Sequence, residues 1–374
     1  MRRLWHSLIF AAMISGPATA LHAEVNVSAL MSMVARNHDA EYHSNTTNFG
    51  ITPFDAAYGR VFLDASISDR LSAFMQWFAH DYDGAFFYGA YVRYDHTPNL
   101  HLEAGLIPTP VGLWSPRTYA DKNPLVSVPA VYQYKTSVDG FGALQSTAEE
   151  VLAERGAAGG APILYDFCWN TGVHAYASLG QFDLGVALLN GSLGTPKREV
   201  AYSHPAAALH LNWIPNTYVT VGGWVSGGPW MAPHFEPDLP SGKVVEDYNQ
   251  LTAGGLLQAS YGHAELNAEI IVNRFEHPYL GDLDNTGGYA DLKYAFATRW
   301  WGAARIDALT FSELDAAESD SDEWDYPMLR LEFGLGRRLS EKALIKGVTQ
   351  IVRYTDAPSD LDGEVFALQL TVEL

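Results

Sequence analysis

The sequence predicts an all-β chain: a transmembrane antiparallel β-barrel of about sixteen strands. Three observations carry this. Past residue 20 no stretch offers 18 consecutive apolar residues, so no helix can cross a bilayer. Period-2 alternation of apolar and polar residues recurs along almost the whole chain. The alternating segments are joined by tight turns and by longer polar loops in turn, an asymmetry typical of membrane barrels. A closed barrel is then the remaining way to span a bilayer, because every backbone N–H and C=O must be paired internally.

Residues 1–23 read as a secretory signal. Arg2 and Arg3 form its charged start, residues 8–14 a short apolar run, and Ala18-Thr19-Ala20 and Leu21-His22-Ala23 are two cleavage sites, after 20 or after 23. An uncleaved anchor helix is the alternative; the shortness of the run and the small residues after it favour cleavage. Cys168 is the only cysteine, which excludes an intrachain disulfide and a cysteine metal site. With 43 acidic against 23 basic residues, and Arg2 and Arg3 lost with the leader, the mature chain is strongly acidic. That excludes a nucleic-acid binder, whose affinity comes from positive charge. An acidic surface suits outer-membrane lipid and lipopolysaccharide bridged by divalent cations, although a solvated acidic surface needs no partner.

Residues 24–374 form the barrel. The first strand places Val25, Val27, Ala29, Met31 and Met33 on one face. The strands over 58–67, 71–80 and 86–94 alternate likewise, the last with Tyr88, Ala90, Val92 and Tyr94 on one face and Arg93 on the other. The fifth runs over 99–107. After a long interruption come strands at 165–179, 182–190, 202–213, 217–226, 248–260, 263–274, 288–297, 301–311, 326–338, 342–354 and 364–374. Longer loops fall at 36–55, 80–85, 108–162, 191–201, 227–247, 275–287, 312–325 and 355–363. The even strand count puts both termini on the short-turn, periplasmic side. Trp213, Tyr218, Tyr261, Trp300, Trp301, Tyr326 and Tyr354 lie near strand ends, where interfacial girdles form.

The interruption is the segment 108–162, the third long loop. A loop of this length in a compact domain is usually functional or disordered. It carries Trp114, Tyr119, Tyr132, Tyr134 and Phe141, which need burial. The expectation is a constriction loop folded into the lumen. Thr147-Ala148-Glu149-Glu150 is a capping box, and Arg155 and Gly156 close the short helix it starts. Arg117, Lys122 and Lys135 are the other cations of the loop.

A charge on the lipid face at mid-membrane costs up to about 2–4 kcal/mol, so charged strand residues should turn inward. This nominates Arg60, Arg93, Glu103, Glu265, Glu269, Asp291, Lys293, Arg305, Asp307, Arg330, Glu332 and Lys346 as lumen-lining. The basic members come from a contiguous arc of strands, whereas Glu265, Glu269 and Asp183 lie on another. Two readings stay open: a transverse field that selects solutes by charge, or mutual salt bridges.

No G-x-S-x-G, H-E-x-x-H, P-loop or C-x-x-C occurs, so no catalytic residue, cofactor or metal site is nominated. His204 and His210 share a strand face and His174 stands on a nearby strand. A metal or proton-relay role is conceivable, but solvated lumen or rim histidines are favoured because no acid stands at ligand spacing. The acids Glu313, Asp315, Glu318, Asp320, Asp322, Glu323 and Asp325 suit a solvated outer loop better than a calcium site.

The leader, the strand count, the loop asymmetry and the long third loop together resemble a Gram-negative outer-membrane porin. The segment Glu103-Ala104-Gly105-Leu106-Ile107-Pro108-Thr109-Pro110-Val111-Gly112-Leu113 is similar to a strand-end motif of phosphate-selective-porin-like proteins. The resemblance implies a third loop forming an eyelet, a homotrimer, an outer-membrane location and passive diffusion of small hydrophilic solutes or ions. Porins usually end on an aromatic residue, and this chain ends Leu370-Thr371-Val372-Glu373-Leu374. The alternatives are an esterase- or phospholipase-like outer-membrane enzyme and a structural scaffold barrel.

Overall fold

The computed structural model describes residues 24–37, 56–80, 84–140, 142–165, 169–196, 202–314, 322–358 and 361–374. The leader over 1–23, Cys168, Phe141 and most of the loop over 36–55 lie outside the described residues. Strands β1 (Glu24–Asn37), β2 (Ala56–Ser68), β3 (Leu71–His80), β4 (Gly84–Thr97) and β5 (Leu100–Pro108) precede the long loop. After it come β6 (Trp169–Leu179), β7 (Phe182–Leu189), β8 (Ala206–Asn216) and β9 (Val219–Pro229). Next are β10 (Asn249–Tyr261), β11 (Ala264–His277), β12 (Gly281–Ala297) and β13 (Trp300–Phe311). The short β14 (Glu313–Leu314) and β15 (Asp322–Glu323) form a separate ladder, and β16 (Met328–Arg338), β17 (Ala343–Tyr354) and β18 (Gly363–Glu373) follow. All but β14 and β15 pair antiparallel in chain order, β13 meets β16, and β18 closes on β1, giving a closed barrel of sixteen strands.

The two faces divide as the energy of a charge in lipid requires. Leu209, Leu211, Ile270, Val272, Leu329, Phe333 and Leu335 are exposed on the outside. Arg305, Asp307, Arg330, Glu332 and Lys346 alternate with such residues and are fully buried inside. Register sets opposite charges side by side: Asp291 faces Arg305, Arg305 faces Glu332, and Asp307 faces Arg330 on adjacent strands. The outward Arg274 sits near the long-loop end of β11 and is paired with Asp282 and Asp284 at 2.7 Å each. There the cost of a charge falls to about 0–1 kcal/mol.

Four expectations change. A bulge in β4 opposite Gln76 and Trp77 turns Tyr88 inward, where it is buried, while Val92 and Tyr94 stay outside. A bulge adds one residue and so flips the face of everything beyond it. The predicted loop 275–287 is mostly strand: β11 and β12 run to 14 and 17 residues, joined by Pro278-Tyr279-Leu280. Its Asn285-Thr286-Gly287-Gly288 looks like a turn, but Asn273 pairs with Asn285 across the ladder and donates to it at 2.7 Å. His204 stands before β8, exposed, rather than on the face of His210. Trp301 is buried and points inward rather than joining a girdle, whereas Trp213, Tyr218 and Tyr261 are exposed.

The apolar core lies on the inner face. Trp114, Tyr132, Tyr134 and Val151 of the long loop pack in one cluster with Trp224, Ile271, Phe275, Tyr289 and Phe311 of the strands. Residues 230–247 join them through Trp230, Met231, Phe235 and Val245.

Candidate functional site

Residues 109–133 run along the inward side chains of β9 to β17 and are fastened there by charged groups. Leaving a buried charge unpaired is costly, so each group in the seam has to find partners. Arg305 donates to the Ser127 carbonyl at 2.8 Å and to Asn123 Oδ1 at 3.2 Å, and lies 3.6 Å from both Asp291 and Glu332. Glu332 accepts the Val126 and Ser127 amides, each at 3.2 Å, and the Ser127 hydroxyl. Arg330 pairs with Asp307 at 3.0 Å and donates to the Val128 carbonyl and to Gln133. Asp307 in turn accepts the Ala130 amide at 2.8 Å, at the start of the one-turn helix Ala130–Gln133.

Lys346 uses no carboxylate. Its three ammonium hydrogens match the carbonyls of Ala120, Asn123 and Leu125, at 2.8, 2.9 and 2.7 Å. Glu269 uses no cation: it accepts Tyr132 Oη at 2.8 Å, Trp224 Nε1 at 3.0 Å and the Leu113 amide at 3.5 Å. Gly112, at φ +77, leaves room for this cluster; a Cβ there would collide with the Tyr132 hydroxyl and Glu269. Trp301 Nε1 donates to the Pro124 carbonyl at 3.1 Å.

A second fastening holds the outer half of the loop. The helix Ala148–Ala153 begins at Thr147 with both halves of the capping box formed, as its sequence predicts. The Ser146 amide holds the exposed Glu150 carboxyl below its usual range. Beyond the helix, Arg155 donates to the Glu323 carbonyl at 3.2 Å and lies over the Tyr326 ring. The Ser137 hydroxyl donates to the Trp324 carbonyl at 2.6 Å. Asp325 accepts the Ser137 and Tyr326 amides at 2.9 and 2.8 Å. Burial pushes its carboxyl up to about 7 despite those donors.

The nominated residues thus fall into groups. Asp291, Arg305, Asp307, Arg330, Glu332, Glu269 and Lys346 meet the loop, and Arg117 joins them through Asp291 at 2.9 Å. Arg60 is buried against the rings of Phe78, Tyr88 and Tyr119, the last from the loop. Lys122 is exposed beside Asp121, and Lys135 is exposed on an isolated bridge to Pro162. Lys293 meets Glu265 at 3.1 Å. Arg117, Lys122 and Glu265 line one cavity of about 420 Å³ with Tyr218, Gln258 and Asn267. Arg93 pairs with Asp95 at 2.8 Å, and Glu103 meets Tyr176 and His174. Asp95, Glu265, Asp291, Asp307 and Glu332 each stand beside a cation, whereas Arg60, Glu269 and Lys346 are held by neutral groups.

Sequence reading missed the neutral partners Asn123, Ser127, Gln133 and Trp224, and it foresaw the burial of Tyr132 but not its bond to Glu269. It also passed over Trp230, Met231 and Phe235, whose apolar character inside a nominally polar loop was the available signal. Among the described residues no group of three or more His, Cys, Asp and Glu side chains is placed to hold a metal ion.

No protein-family description matches the chain, and no curated protein matches it in sequence. Solved structures do match in shape. The trimer form of OmpT, an outer membrane protein of Vibrio cholerae, superposes with a TM-score of 0.59 at 9% identity, covering 94% of this chain and 99% of its own. The anion-selective porin from Comamonas acidovorans gives 0.59 at 11%, with 94% and 99% covered. The outer membrane channel DcaP of Acinetobacter baumannii gives 0.57 at 11%, with 95% and 99% covered. At such identities the likeness shows the fold: this chain has the sixteen-stranded barrel of the Gram-negative outer-membrane porins. With its apolar exterior, it is an outer-membrane β-barrel.

Proposed function

We propose that the protein is a passive diffusion channel for small hydrophilic solutes or ions, narrowed by residues 108–162. The observation that supports this most is the seam itself. The charged seam of the loop lies along β9 to β17, and toward the short-turn ends of β4 and β5 the inward Arg93, Asp95 and His101 stay partly exposed. Buried ion pairs and carbonyl contacts hold the loop against the wall, so solutes would pass between it and this polar arc. The exposed Lys122 and Glu265 line the path at the short-turn end. No covalent chemistry is needed. The trimeric form of the Vibrio cholerae protein supports a homotrimer here as well.

Planar-bilayer recording tests the reading. The purified protein should give discrete conductance steps, and deleting residues 114–160 should enlarge them. Absence of steps from protein shown to be folded would refute the channel; unchanged step size after the deletion would remove the loop from the path.

A further inference from the structure

Three adjacent strands bring two imidazoles over one glycine. His174 on β6 and His210 on β8 flank Gly185 on β7, which is in register with His210. Their ring centroids are 5.7 Å apart. A Cβ on Gly185 would collide with the His210 Cε1 edge and lie 2.7 Å from His174 Nε2 and 3.0 Å from His210 Nδ1, so the two rings, each with one nitrogen on this side, crowd over the same bare stretch of backbone. His174 is 8% exposed, and its Nε2 has no hydrogen-bond partner.

The other side of that ring is occupied. Glu103 Oε2 lies 3.5 Å from His174 Nδ1, and Tyr176 stacks on the ring at 4.8 Å while donating to the other Glu103 oxygen at 3.2 Å. A carboxylate at Nδ1 places the proton there and the lone pair on Nε2, which is how outer carboxylates prepare metal-ligating histidines.

We propose that His174 and His210 bind a single divalent transition-metal ion, of the zinc or copper(II) type, with water completing its coordination and Glu103 positioning His174. Two imidazoles select such ions over magnesium and calcium, which prefer oxygen ligands. Zinc–nitrogen bonds of about 2.0–2.1 Å place two ligand nitrogens about 3.3 Å apart, within reach of rotations of these side chains. Two protein ligands make a weak, exchangeable site, suited to an ion that enters and leaves. The proposal does not rest on conductance: an ion can bind in a barrel that conducts nothing.

The test uses the intact barrel in detergent, stripped with chelator and dialysed against zinc chloride slightly above neutral pH, where imidazole is neutral. One zinc per chain is expected, undiminished by excess magnesium. His174→Ala and His210→Ala should each abolish it, and Glu103→Gln should weaken it about 10–100-fold. Gly185→Ala keeps both histidines and should weaken binding by wedging a methyl group between the rings. On the wild-type protein, copper(II) loading should show superhyperfine splitting from two nitrogens in its electron paramagnetic resonance spectrum. Negligible zinc on the wild type, binding indifferent to both histidine substitutions, or a spectrum lacking two equivalent nitrogens would each overturn the proposal.

Discussion

Two arcs of this barrel are built from the same alternating strands and treat their charges oppositely. On β12 to β17, Asp291, Arg305, Asp307, Arg330 and Glu332 have side chains wholly removed from solvent and hold the long loop. On β4 and β5, Arg93 and Asp95 keep about a third of their surface exposed and pair with each other and with His101. The difference does not lie in residue type or in strand register. It lies in what passes in front of the wall. Where the loop supplies carbonyls and amides these charges are buried; Arg93 and Asp95, which it does not reach, stay wet. An inward charge in a barrel can therefore be a fastener or a solvated wall group, and the loop decides which.

The largest expected effect contrasts the two arcs directly. Arg305→Ala leaves Asp291 and Glu332 buried without their shared cation and should cost about 3–5 kcal/mol. Arg93→Ala removes a partly exposed pair and should cost about 0–1 kcal/mol. Urea unfolding from lipid vesicles measures both, and equal costs would erase the distinction between fastener and wet wall.

Next comes pH, acting on the outer fastening. The Asp325 carboxyl lies among Tyr134, Tyr326 and Tyr354, with Arg155, Asp322 and Glu323 on the flanking segments. Its folded value of about 7 stands above the unfolded 3.8. Its contribution to stability is then fully present below the unfolded value and is lost as pH rises through about 7. Amide exchange at Ser137 and Tyr326 should quicken between mildly acidic and mildly alkaline pH, beyond the intrinsic pH dependence of exchange. In Asp325→Asn the excess should vanish; an excess that survives the substitution would assign it elsewhere.

Thr147→Ala should be milder, about 1 kcal/mol confined to the helix Ala148–Ala153, because one cap is lost and the seam is untouched. Local exchange rates would show it, and protection lost throughout the barrel would contradict that locality. The smallest effect on stability, within about 0.5 kcal/mol, is expected for the exposed Lys122→Glu. Its reversal potential in a salt gradient should still move toward cation preference if Lys122 borders the solute path.

Much of the fold was legible from one rule. A lipid-facing charge costs so much that Ile270 and Val272 against Glu269 and Asn273 define the face of β11 without any neighbour. The capping box at Thr147 was legible because all its partners lie within four residues. The bulge at Tyr88 was not, since alternation carries no mark where one residue is inserted. The extension of β11 and β12 was hidden because Asp284-Asn285-Thr286-Gly287 reads as loop until a partner strand pairs with it. In the site, the charged members were readable as inward-facing and Tyr132 as buried, but Ser127 and Asn123 were anonymous loop residues.

By itself the sequence determined the strand count, the inside and outside of the strands that carry no bulge, and which charges had to turn inward. These follow from covalent alternation and from the solvent on each side. Only the tertiary structure decided that Lys346 binds three carbonyls, that Glu269 binds three neutral donors, and that His174 and His210 meet over Gly185. Those contacts join residues up to more than 200 positions apart, such as Ala120 and Lys346. Their geometry depends on barrel closure and on the path of one loop, neither of which any local pattern encodes.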